Sequence, residues 1–127
     1  MLPRSQATAA LTRLKAIAER VDRHLIISEI RTIAADDLWL SPSYGHDTVA
    51  VHFTWKPHPV AADAITAEIE ALLLPLGGRP HWGKLMHARA AQIAPLYPQL
   101  AEFRSLADEY DPAGKFRNQF LTEHVFG

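Results

Sequence analysis

Glu29 and Arg31 stand two residues apart in Leu25-Ile26-Ile27-Ser28-Glu29-Ile30-Arg31-Thr32-Ile33, a run whose β-branched content reads as a strand. Residues two apart on a strand leave the same face, so the spacing projects a carboxylate and a guanidinium side by side among Leu25, Ile27 and Ile33. Charges amid aliphatic neighbours are costly unless they pair or meet a polar ligand. Two readings follow: a structural ion pair, or a grip on hydroxyl groups. His52 and Thr54 repeat the spacing in a second run, either as a solvated sheet surface or as another wall of a polar cavity. Lys84 follows Gly83, whose missing Cβ permits close approach of the backbone to another molecule. Its ammonium is either plainly solvated or brought against that molecule.

The elements that must hold these groups are legible. Ala7, Ala10, Leu11, Leu14, Ile17, Ala18 and Val21 recur at helical spacing and predict one amphipathic helix. The Leu25–Ile33 strand is apolar on both faces, which predicts a central position covered on both sides. Thr48 to Lys56 alternates cleanly, with Val49, Val51, Phe53 and Trp55 on the face opposite His52 and Thr54. A helix from Pro59 to about Leu74 is started by proline and stopped by Pro75 and Gly77-Gly78. Further helices are expected over Met86–Ile93 and Pro98–Tyr110, followed by an Asp111-Pro112-Ala113-Gly114 turn. The order predicts an α+β domain over residues 1–127, an antiparallel sheet flanked by helices.

Composition excludes several classes. A formal net charge of -1 gives no broad pull toward nucleic acid or anionic lipid. No cysteine is present, so there is neither a disulfide framework nor thiolate chemistry. The seven histidines lack metal-ligand spacing, and no metal site is expected. No segment is long and apolar enough to be a transmembrane span, and the start lacks a signal-peptide core. These features point to a cytoplasmic location. No phosphate-cradling glycine loop or nucleophile elbow occurs.

Arg79-Pro80-His81-Trp82-Gly83-Lys84, Ser28-Glu29-Ile30-Arg31-Thr32-Ile33-Ala34, Val51-His52-Phe53-Thr54-Trp55-Lys56 and Asp111 to Asn118 together carry a resemblance. From about Leu2 to Phe120 the chain resembles the C-terminal, substrate-binding part of the FAD-dependent alditol (xylitol) oxidase and D-arabinono-1,4-lactone oxidase family. The resemblance implies the substrate domain of a vanillyl-alcohol-oxidase-type flavoenzyme, with the FAD-binding domain absent. It implies a polyol or sugar-lactone substrate, oxidised at a CH–OH carbon with oxygen as acceptor and hydrogen peroxide as product. FAD is implied for the complete enzyme, and none is expected bound to this chain alone.

Carried over by that resemblance, Glu29, Arg31, His52, Thr54 and Lys84 bind substrate. Lys84, Arg31 and Glu29 act in catalysis, and His81 and Asn118 lie near the flavin. Met1 falls where a preceding sheet strand should end, so the resemblance also implies truncation at that strand and inactivity alone. Two alternatives stand beside it: a non-catalytic binding or interaction domain for a sugar-like ligand, and a half-enzyme pairing with a separate flavin domain.

Overall fold

Strand β3, Thr48–Trp55, is the axis of a three-stranded antiparallel sheet in the order β1-β3-β2, seen in a computed structural model that describes Met1–Gly127. β1 is only Leu2–Pro3, paired with Val49 and Thr48. β2, Leu25–Ile33, pairs along the whole of β3, with Glu29 opposite His52 and Arg31 opposite Ala50. Between Leu25 and Ile27 the register shifts, so Ile26 is an extra residue in a β-bulge.

The helices cover one face of this sheet. α1 (Ala7–Lys15) and α2 (Ala18–His24) precede β2, and α3 (Pro59–Leu73) follows β3. Ile17 and Val21 meet Ile65 and Ile69 of α3, with Leu25, Phe53 and Trp55 packed against them. A second cluster joins Leu2, Ala10 and Val49. The single helix expected over Ala7–Val21 is therefore two, broken at Ala16 and Ile17. Ala10 serves one cluster and Ile17 the other, and a β-branched residue at the junction tolerates the break. α3 matches its expected span, and no helix is long and apolar enough to cross a membrane.

The expected position of β2 is corrected. It is an edge strand, and Ile26, Ile27 and Ile30 are exposed. Its composition fits a covered strand, but the helices here pack over β3 and reach β2 only near Leu25. The bulge moves Leu25 as well. It leaves the face of Glu29 and joins the helix-side cluster, contrary to simple alternation.

A third cluster is built from the C-terminal half: Ala88, Ile93, Tyr97, Leu100 and Val125. α4 is only Ala90–Ile93, shorter than the helix expected from Met86. The Glu70 carboxylate accepts from the amides of His87 (2.9 Å) and Ala88 (2.7 Å), which holds that segment extended against α3. α5 runs Leu100–Tyr110. The Asp111–Gly114 turn forms as expected, the Gly114 amide bonding the Asp111 carbonyl at 3.0 Å. α6 (Gln119–Leu121) and a wide turn over Thr122–Phe126 then dock on α4, with buried His124 Nδ1–H donating to the Ala88 carbonyl at 2.7 Å.

Candidate active site

The face of the sheet turned away from the helices carries Ile27, Glu29, Arg31 and Ile33 from β2, beside Thr48, Ala50, His52 and Thr54 from β3. Arg31 Nη2 donates to both Glu29 carboxylate oxygens, at 2.9 and 2.8 Å. The small Ala50 opposite Arg31 leaves the guanidinium room to turn back along its own strand. His52 Nδ1 lies 3.2 Å from Glu29 Oε2. Because an ionised carboxylate only accepts, Nδ1 carries the proton and Nε2 of the neutral ring is left with a lone pair. The hydrogen bond from Arg31, then that from His52, holds the Glu29 carboxyl below the usual carboxylate range. Glu29 is thus an anchored anion that fixes the orientation of both neighbours.

Arg31, His52, Thr54, His81 and Lys84 all line one cavity of about 910 Å³. Glu29 is absent from its wall and reaches it through Arg31 and His52. Asn118 lies elsewhere: its side chain caps α6, accepting from the Leu121 amide at 2.9 Å. The cavity reaches past this face. Its lining includes six consecutive β3 residues, Ala50 to Trp55, and α3 residues from Thr66 to Leu73.

His81 and Lys84 reach the cavity from a turn that the residues beside them anchor. Arg79 is buried; its Nε donates to the Leu96 carbonyl at 2.8 Å and its Nη1 to those of Pro42 and Tyr44 at 3.1 and 3.0 Å. Its guanidinium lies 5.0 Å from the centre of the Tyr97 ring. Burial lowers the Arg79 pKa and raises that of the Tyr97 phenol. Trp82 Nε1 donates to the Leu40 carbonyl at 2.8 Å, and its ring lies 5.1 Å from that of Tyr97. Between these anchors His81 and Lys84 stay exposed. The Gly83 amide donates to His81 Nδ1 at 3.0 Å, which leaves Nε2 as the donating nitrogen of the neutral ring. Lys84 takes part in none of the ion pairs of the chain, so its charge is uncommitted.

The constellation therefore offers hydrogen-bond donors from Arg31, an imidazole lone pair, a hydroxyl and a free cation around one space. Sequence reasoning gave no role to Arg79 or Glu70. Their partners are backbone groups 17 or more residues away, and spacing carries no trace of such contacts. The available signal was a charge in apolar surroundings: Glu70 interrupts Ile69 and Ala71-Leu72-Leu73-Leu74.

The family model for D-arabinono-1,4-lactone oxidase matches residues 1–124. The chain belongs to the D-arabinono-1,4-lactone oxidase family. Within this family it is 44% identical, over its whole length, to an alditol oxidase of Streptomyces sp. strain IKD472, of which it covers 31%. It is 33% identical to an L-gulonolactone oxidase of Scyliorhinus torazame, with 98% of this chain and 30% of the relative covered. It is also 33% identical to an L-gulono-1,4-lactone dehydrogenase of Mycobacterium tuberculosis, with 99% of this chain and 29% of the relative covered. The chain thus spans about a third of the length of these family members.

Proposed function

We propose that this chain is the substrate-binding part of an FAD-linked oxidase acting on polyols or aldonolactones, with oxygen as the final acceptor. The observation that carries the reading is the convergence of Arg31, His52, Thr54 and Lys84 on one cavity, with Glu29 orienting the first two. The 44% identity to an alditol oxidase favours the polyol side of the pair.

The residues present fit the polar edge of a flavin ring beside a substrate. Exposed Lys84 and His81 Nε2–H are donors with no partner in the chain, both on the cavity wall. FAD, when bound, supplies the acceptor for the hydride that leaves the carbinol carbon. Arg31 and Thr54 hold the hydroxyls, Arg31 through the guanidinium N–H groups that Glu29 does not occupy. His52 Nε2 takes the hydroxyl proton as the C–H bond breaks and the C=O bond forms, and Glu29 stabilises the resulting imidazolium. Lys84 offsets the negative charge that develops on that oxygen.

The test is a graft. The 127 residues of this chain replace the matched segment of the Streptomyces alditol oxidase, and flavin reduction and peroxide are followed with xylitol, sorbitol and an aldonolactone. Reduction by at least one of these is expected. A folded, yellow graft that none of them reduces overturns the reading.

A further inference from the structure

Lys84 stands in a stretch that little else fastens. From Pro80 to His87 the chain belongs to no helix or strand. Its one bond between backbone groups runs from the Lys84 amide to the His81 carbonyl at 3.0 Å. Ahead of the lysine the stretch is pinned. Arg79 exchanges backbone bonds with Met1 at 2.7 and 2.8 Å, and Trp82 is tied to the Leu40 carbonyl. Behind the lysine, Leu85 is exposed and Met86 only half-buried.

The first firm hold after Lys84 is on His87 and Ala88, and Glu70 makes it. Its Oε2 accepts from the Ala88 amide at 2.7 Å and from the His87 amide at 2.9 Å, while Oε1 stands 3.1 Å from the latter. The Ala88 carbonyl in turn accepts from buried His124 at 2.7 Å, and Ala88 lies in the C-terminal core cluster. Glu70 sits on α3 beside Ile69, which packs into the core with Ile17 and Val21. Glu70 and Lys84 line the same cavity. α3 thus carries a carboxylate committed to two backbone amides of the segment that brings the lysine in.

We propose that Glu70 is the positioning residue for Lys84: by fixing the chain three and four residues beyond the lysine, it sets where the ammonium stands in the cavity. Its bearing on catalysis rests on the function proposed above. A charge that acts on a developing oxyanion acts through distance, and a shift of about 1 Å can cost on the order of a hundredfold in rate. The grip depends on reach rather than on charge. A glutamine keeps it, because one carbonyl oxygen in the place of Oε2 accepts from both amides. An aspartate keeps the charge but is one methylene shorter and cannot meet both. A carboxylate that acted by its charge would show the reverse order.

Glu70→Asp and Glu70→Gln, in the chain alone and in the graft into the Streptomyces alditol oxidase, test this. In the graft, Glu70→Asp should slow flavin reduction at saturating xylitol about tenfold or more, and Glu70→Gln less than about threefold. With Lys84→Met in place neither should slow it further, since the group they position is gone. In the chain alone, the NMR order parameter of the Lys84 amide should be about 0.85 in the parent and in Glu70→Gln, and below about 0.6 in Glu70→Asp. An aspartate loss that persists with Lys84→Met is an effect on the fold and overturns the proposal. A glutamine slower than the aspartate overturns it in favour of charge. Order parameters that coincide in all three chains overturn it whether or not the graft turns over. A parent graft that no polyol or lactone reduces defeats the oxidase reading, and the order parameters alone then decide whether Glu70 holds Lys84.

Discussion

Arg79 and Arg31 are two arginines within one molecule, and their surroundings differ in kind. Arg79 is buried, bonded to three backbone carbonyls and laid over an aromatic ring. Only its Nη2 is left without a bond in the chain, on the wall of the same cavity. Arg31 is exposed, paired with one carboxylate through a single nitrogen, and lines a cavity. The difference separates a cation that builds the turn from one that faces a visitor. Charge and residue type are the same, and both line the cavity; burial and the share of donors committed to backbone tell them apart.

Removing each cation should separate the roles. Arg79→Met should destabilise the fold by about 3–5 kcal/mol, because three part-buried carbonyls lose their donor together. Urea unfolding measures this, and a loss below about 1 kcal/mol would make Arg79 an ordinary surface residue. Lys84→Met, placed in the graft, should leave the melting temperature unchanged and lower flavin reduction on the order of a hundredfold, or ~3 kcal/mol. Unchanged turnover would reduce Lys84 to a wall residue. Arg31→Gln should barely move the thermal midpoint, since exposed ion pairs contribute little.

Its effect should appear in titration. Glu29 has a folded pKa depressed chiefly by Arg31. Its stabilising contribution is present above the unfolded carboxylate pKa and is lost as pH falls through the lower folded value. In Arg31→Gln the Glu29 carboxyl signal, followed by carbon-13 NMR, should titrate at higher pH than in the parent. A superimposable curve would show that His52, not Arg31, holds the carboxylate.

The sequence foretold what depends on near neighbours. Alternation gave β3 and its two faces, and Pro59 with the Pro75 and glycine stop gave α3. The face shared by Glu29, Arg31, His52 and Thr54 followed from spacing by two. Other features depend on partners far along the chain. The break at Ala16–Ile17 interrupts no periodicity, because both halves keep the same apolar stripe, with Ala10 in one cluster and Leu14, Ile17 and Val21 in the other. Residues 86–89 looked helical until Glu70 took two of their amides. The exposure of β2 was illegible because composition records that a strand suits burial, not which element of the chain covers it.

The bulge at Ile26 has a consequence for how this sequence tolerates change. Removing one residue there would leave Leu25 opposite Trp55 and Ile27 opposite Thr54, now as a regular ladder. Both the apolar anchor and the polar site would keep their sides. The connection from α2 into the strand can therefore drift in length by one residue without rotating Glu29 and Arg31 off their face. Insertions or deletions elsewhere in β2 would turn the site over, so length variation among relatives should gather at this point.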